Sequence, residues 1–114
     1  MLPMNGRGAP LNALSGKITA DADLVVAPGA GKALEISTIN FDCTVAQGGK
    51  RVDIVGGSGV ILATFSIAAT GSFPTKVFDP PFRLADNTKL SADTDGTTGE
   101  FNIATGYYRA SNQR

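Results

Sequence analysis

The sequence predicts an all-β protein: an antiparallel, jelly-roll-like β-sandwich of seven or eight short strands with an extended N-terminal arm. No window of the chain repeats apolar residues at helical spacing between capping residues. Short segments that alternate apolar and polar residues recur between turns, and 14 glycines and 6 prolines supply many turn positions. Long loops early in the chain and a proline-rich crossover at residues 79–84 favour a jelly roll over a simple meander.

Residues 1–15 are predicted to form the arm, because glycines and prolines interrupt them and their apolar residues follow no strand or helix period. The arm is either a disordered tail or a segment that becomes ordered against a partner. The apolar residues expected to contact that partner are Leu2, Met4, Leu11 and Leu14. The sandwich domain is expected to span residues 16–110, followed by a polar tail at residues 111–114.

The first half of the domain contains three candidate strands, at residues 17–20, 24–27 and 32–41. In the third strand, apolar residues alternate with polar ones up to Ile36 and then change parity at Ile39. A parity change within one strand predicts a β-bulge, because one extra residue moves every later side chain to the other face.

Residues 50–67 predict a β-hairpin around which the rest of the chain is organised. Its first arm alternates Val52 and Ile54 with charged residues, which indicates one buried face. The glycine-rich segment 56–59 forms the turn, because glycine reaches the positive-φ conformations of a tight reversal. The second arm, residues 60–67, is apolar on both faces. It therefore lies centrally in its sheet, or its outer face meets another surface.

The second half contains three further candidate strands, at residues 73–78, 89–93 and 100–109. A proline in the first of these favours an edge or strand-start position. Residues 94–99 predict a hairpin turn between the last two strands. Tyr107 and Tyr108 point to opposite faces of the last strand, so one is expected in the core and the other on a contact surface.

The composition argues against catalysis and against several classes of ligand. Ten basic and ten acidic residues cancel, and no basic stripe is present, which disfavours binding to nucleic acid or an anionic membrane. No apolar run approaches the length of a membrane span. The chain has no histidine to serve as a general base, and Cys43, its one cysteine, is expected to be buried. The sequence thus predicts no enzyme, catalytic residue or cofactor.

Two segments invite a ligand-binding interpretation. Pro28-Gly-Ala-Gly-Lys32 lacks the first glycine and the final Ser or Thr of a phosphate-binding loop, so it is interpreted as a turn. Residues 93–100 resemble a calcium loop, but the glycine comes fourth instead of sixth and the flanking segments are strands. The segment is therefore interpreted as a turn without a metal. A looser calcium site, which would use Asp93, Asp95 and Glu100, stays open.

The order of segments resembles the small jelly-roll proteins that decorate and cement the capsids of tailed bacteriophages. The resemblance covers residues 17–110, and a Gly/Pro-rich arm precedes them. The segments that carry it are Leu24–Ile36, Arg51–Gly59, Phe78–Leu84 and Ile103–Arg109. It rests on the style and order of these segments, since the family has no fixed motif from which functional residues could be transferred.

The resemblance implies a non-enzymatic structural protein on the outer surface of the virion, made in the host cytoplasm. Such proteins form dimers or trimers and bridge neighbouring copies of the major capsid protein. The alternative is a carbohydrate- or receptor-binding β-sandwich module of a phage fibre, for which exposed aromatic residues beside polar loops would be expected.

Overall fold

The computed structural model describes residues 11–18, 20–46, 48–57, 59–94 and 102–112. Within these ranges the chain forms nine strands and no helix. The strands are β1 (Asn12–Ile18), β2 (Ala22–Val25), β3 (Lys32–Cys43), β4 (Arg51–Val55), β5 (Ile61–Ser66), β6 (Gly71–Ser72), β7 (Lys76–Arg83), β8 (Leu90–Thr94) and β9 (Asn102–Asn112).

The strands form two antiparallel sheets that pack face to face, which confirms the prediction of an all-β sandwich. The five-stranded sheet has the order β1-β9-β3-β6. Strand β7 also pairs with β3, on the same side as β6 but nearer the start of β3. The four-stranded sheet has the order β2-β8-β4-β5. The first strand thus lies beside the last, and the second lies beside the eighth. The structure thus has nine strands instead of the predicted seven or eight, and the additional strand is the two-residue β6.

A cluster of three aromatic rings joins the two sheets within the core. Phe41 of β3 stacks on Phe65 of β5, with ring centroids 4.5 Å apart. Phe73, which follows β6, meets both rings edge to face at 5.4–5.5 Å. Such pairs add about 0.5–1.5 kcal/mol each to the stabilisation from burial of apolar surface. The cluster therefore fixes how the two sheets lie on one another.

The predicted bulge in β3 is confirmed. Strand pairing shifts register between Ile36 and Thr38 against both neighbouring strands, β7 and β9. Ile36 before the shift and Ile39 after it are both fully buried. The bulge therefore lets both halves of this 12-residue strand direct their apolar side chains into one core.

Gly106 of β9 makes room for this bulge. It pairs with Ile39, and a Cβ atom placed on it would lie 2.0 Å from the backbone oxygen of Thr38. No side chain can be accommodated there unless one of the two strands moves. The glycine is thus required by a close backbone approach and not by an unusual φ angle.

The predicted hairpin of β4 and β5 is also confirmed, with Val52 and Ile54 fully buried. The backbone N–H of Gly56 donates to the carbonyl of Val60 at 2.8 Å, which closes the turn. The central position considered for β5 is wrong: β5 ends the four-stranded sheet and pairs, among the described strands, with β4 alone. The other prediction, that an outer surface of this arm meets a partner, stays open.

The sandwich extends past both predicted boundaries. Strand β1 begins at Asn12, so it includes residues that the sequence assigned to the arm. Leu14 lies in the core at 3% exposure, whereas Leu11 is 53% exposed. At the other end, β9 continues to Asn112 and includes the buried Ser111 of the predicted polar tail.

The hairpin expected around residues 94–99 is wrong, because β8 and β9 belong to different sheets. Strand β8 lies between β2 and β4, so both of its edges are already paired. Strand β9 lies between β1 and β3 in the other sheet. The chain therefore crosses from one sheet to the other between these strands; the crossing residues 95–101 lie outside the described ranges.

Substitution of Gly106 tests the close approach of β9 to the bulge. We expect Gly106→Ala to lower the free energy of unfolding by about 2–3 kcal/mol or more, because the added Cβ forces apart two central strands. Gly48→Ala is the matched control, since a Cβ there meets nothing within 4 Å. Denaturant unfolding measures both variants. Equal stability of Gly106→Ala and the wild type would contradict the geometry.

Candidate interaction surfaces

The outer edge of β5 pairs with no other strand in the described part of the chain. No charged residue occurs between Asp53 and Lys76, a stretch that contains the whole strand. Ile61 is 56% exposed, and Val60 beside it is also exposed. Natural edge strands are normally protected by lysine, proline or inward-pointing charge, because unpaired backbone groups recruit other strands. β5 carries no charge or proline within its bounds, so its edge is chemically suited to pair with another strand.

The outer face of the five-stranded sheet carries an uncharged row of side chains. Register places Ala13, Tyr107, Thr38 and Val77 side by side across β1, β9, β3 and β7. Tyr107 is 49% exposed, whereas Tyr108 packs against the core. The prediction that the two tyrosines point to opposite faces is therefore confirmed. The Oγ1 atom of Thr38 is buried without a hydrogen-bond partner among the described residues.

A polar cluster borders this row at one end of the sheet. The Arg83 guanidinium donates to the Glu35 carboxylate and, at 2.9 Å, to the Ser111 hydroxyl. This cluster explains why a serine near the C-terminus is buried, because its hydroxyl is satisfied by a charged donor. It also ties β7, β3 and β9 together beside the uncharged row.

The outer face of the four-stranded sheet is acidic. A cavity of about 460 Å³ is lined by Asp21, Asp23 and Asp93 together with Lys89 and nearby residues of β2, β4 and β8. The carboxylate of Asp23 accepts from Lys89 at 3.0 Å. This ion pair, followed by a hydrogen bond from Ser91, lowers the pKa of Asp23 below its ordinary value.

Asp21 connects the start of β2 to the end of β8. Its Oδ1 atom accepts from the backbone N–H of Thr94 at 2.8 Å and from the Thr94 hydroxyl at 2.9 Å. These bonds, the backbone one first, lower the pKa of Asp21 because they stabilise the ionised carboxylate. The interaction holds the β8 terminus beside β2.

Of the four residues predicted to contact a partner, the structure describes Leu11 and Leu14, and these two differ in exposure. Leu2 and Met4 lie outside the described residues. Leu14 is wrong as a surface contact in this chain, since alternation along β1 turns it into the core. Leu11 is exposed and precedes β1. The β5 edge was not among the predicted sites, although the uncharged stretch around it is visible in the sequence.

The structure describes all of one segment that invited a ligand-binding interpretation, residues 28–32, and part of the other, residues 93–100. Residues 28–32 form a turn, as predicted, and a hydrogen bond of 3.1 Å from the Lys32 N–H to the Gly29 carbonyl closes it. Of the open calcium site, Asp93 is described, whereas Asp95 and Glu100 lie outside the described residues. In the described ranges no group of three or more His, Cys, Asp or Glu side chains is placed to hold a metal ion.

Cys43 is buried, as predicted, and its Sγ contacts the Val45 carbonyl oxygen at 3.3 Å. Throughout the part of the chain that the structure describes, we find no helix with the length and apolar character needed to cross a membrane.

Comparison with protein-family models, curated proteins and solved structures finds no match for this chain. The fold therefore defines the class, an antiparallel β-sandwich, and functional inference depends on the surfaces above.

The hydrogen bonds to Asp21 predict a specific acid response. Because its pKa is lower in the folded state, its stabilising contribution is present above the ordinary Asp pKa of 3.8 and is lost as the pH falls through the folded value. Asp21→Asn should therefore lose less stability than the wild type between pH 5 and pH 2, as measured by denaturant unfolding. Thr94→Val, which keeps the backbone donor, should retain most of the acid response. An unchanged response in Asp21→Asn would contradict this role.

Proposed function

We propose that this chain is a non-enzymatic structural virion protein that decorates the outer surface of a tailed-phage capsid and cements neighbouring major capsid proteins. The observation that carries the proposal is the uncharged edge of β5, a strand that pairs with β4 alone among the described strands, which suits a protein that functions in an assembly. The resemblance of the segment order to capsid decoration proteins supplies the kind of assembly.

The strand order supports the jelly-roll form of the sandwich. One sheet contains β1, β9, β3 and β6 with β7, and the other contains β2, β8, β4 and β5. In an eight-stranded jelly roll, two nested Greek keys place the first strand beside the eighth and the second beside the seventh. This chain has that order when β6 and β7 are counted as one strand, because β9 is then the eighth strand and β8 the seventh. The strand order is therefore one observation in support of the proposed jelly roll.

The β5 edge is proposed to pair with β5 of a second copy, which gives a homodimer. Pairing of a strand with its own copy is self-complementary when the two strands run antiparallel, as every strand pair of this sandwich does. The pairing would satisfy the backbone groups of the free edge and cover Val60 and Ile61. A dimer of this kind joins the two four-stranded sheets into one continuous sheet.

The outer face of the five-stranded sheet, with Leu11 beside it, is proposed to contact the major capsid protein. Its row of Ala13, Tyr107, Thr38 and Val77 has no charge, so contacts there would be apolar and hydrogen-bonded. A dimer that binds two shell subunits at once stabilises the assembled shell, because it binds the assembled state and not the separated subunits.

A second candidate function, carbohydrate or receptor binding, is favoured by the setting of Tyr107. Its exposed aromatic ring lies in an uncharged row of side chains, beside Thr38. A sugar could stack on that exposed ring. Binding to a glycan array that is lost in Tyr107→Ala, with no binding to capsids, would favour this candidate over the cement function.

A charge at the β5 edge tests the proposed dimer. We expect Ile61→Lys to remain folded, because the side chain is already more than half exposed, and to sediment as a monomer. Val26→Lys is the matched control: Val26 is 74% exposed but lies outside the strands, between β2 and β3, so this variant should stay dimeric. Analytical ultracentrifugation measures both variants. A wild-type monomer, or a dimeric Ile61→Lys, would refute pairing through β5.

Removal of the protein from particles tests the cement function itself. Particles stripped of the protein should lose their genome or shell at a lower temperature than intact particles, and adding the protein back should restore the difference. Heat release of DNA, followed by fluorescence, measures this. Equal heat resistance with and without the protein would refute cementing whatever its oligomeric state.

A further inference from the structure

A carboxylate pair faces outward from the middle of the four-stranded sheet. Asp53 of β4 lies directly opposite Asp93 of β8 in the strand register. Asp53 is only 6% exposed, and its Oδ1 atom has no hydrogen-bond partner among the described residues. The side chain lines a cavity of about 80 Å³ together with Arg51, Asp93 and Thr94. A nearly buried carboxylate thus borders a small cavity, and one of its two oxygens has no hydrogen-bond partner among the described residues.

The local positive charge does not balance this pair. Arg51 contacts the other oxygen of Asp53, with Nε 3.3 Å from Oδ2, but the Arg51 side chain is 59% exposed. Asp93 also lines the larger cavity beside it, where Asp21 and Asp23 face Lys89. The two cavities together are lined by four aspartates against one arginine and one lysine, a net charge of −2.

Such an arrangement costs stability unless a cation relieves it. Like charges directly opposite one another on neighbouring strands are destabilising. A buried carboxylate oxygen that has lost water without gaining a donor carries a desolvation penalty. One bound cation would relieve both effects, because its charge attracts both carboxylates and offsets the cost of burying the Asp53 carboxylate.

We propose that Asp53 and Asp93 bind a hydrated divalent cation of the Mg²⁺ class. Mg²⁺ is commonly held by one or two carboxylates and keeps several waters, which matches a site with two protein carboxylates and a cavity that admits an ion with part of its water shell. Ca²⁺ takes six to eight oxygen ligands, and the described residues bring no group of three acidic or other ligating side chains together. The site thus favours the smaller, more strongly hydrated ion.

Thermal unfolding of the full chain in MgCl₂, compared with NaCl at equal ionic strength, tests the site. The wild-type Tm should rise by a few degrees and saturate with Mg²⁺ concentration, as expected for a ligand that binds only the folded state. Isothermal titration calorimetry should give one site per chain. Removal of one carboxylate ligand, in Asp53→Asn or Asp93→Asn, should weaken binding by about tenfold or more.

Asp93 is exposed, so Asp93→Asn keeps the test valid even if replacement of the buried Asp53 impairs folding. Asp86→Asn, at an exposed carboxylate in the loop before β8, is the matched control and should respond to Mg²⁺ as the wild type does. Equal Tm changes in MgCl₂ and NaCl would show that charge screening alone raises the Tm, and would overturn the proposal. An undiminished Mg²⁺ response in Asp93→Asn would overturn it as well.

Discussion

The sandwich depends on the close approach of β9 to the bulge in β3. Strand β3 pairs with β9, β6 and β7, and it contributes buried residues over most of its length. Without the extra residue near position 37, either Leu34 and Ile36 or Ile39 and Phe41 would point to solvent. The bulge moves the Thr38 carbonyl towards β9, and Gly106 is the residue that allows it. One backbone contact thus permits a single long strand to serve the whole core.

The same bulge shapes the outer surface. Because it changes which residues point outward, Thr38 joins Tyr107 and Val77 in one row instead of being turned inward. Strand β7 pairs with β3 at Val77 and again at Phe82, so its intervening residues leave the ladder beside the bulge. The uncharged row and the core are therefore two consequences of one irregularity. A change that removed the bulge would alter both.

Several features could be predicted because they are local. The parity change in β3 indicated the bulge, and the glycines after Val55 indicated the hairpin turn. Strand β1 was harder to recognise because its inward positions are Leu14, Gly16 and Ile18, so a glycine hides the alternation. That glycine packs close to Leu24, whose Cδ2 would be 2.5 Å from an added Cβ.

Other features depend on partners distant in sequence, which no local pattern contains. The segment after β8 has the composition of a hairpin turn, yet β8 has no free edge for β9 to join, since β2 and β4 occupy both. The apolar character of β5 was consistent with a central strand and with an edge that a partner covers. Only the sheet order separates these two possibilities. The pair of Asp53 and Asp93 is likewise visible only in the register of β4 and β8.

In the proposed dimer, the geometry of antiparallel pairing decides which surfaces face which way. The two-fold axis that relates two antiparallel β5 strands runs perpendicular to the joined sheet, so equivalent faces of the two copies lie on the same side. Both acidic faces, with their Asp53 and Asp93 pairs, would then point outward together. Both five-stranded sheets would present their outer faces, each with its uncharged row, in the opposite direction. A dimer built in this way has one charged side and one side with two equivalent contact faces, which suits the proposed bridging of two shell subunits.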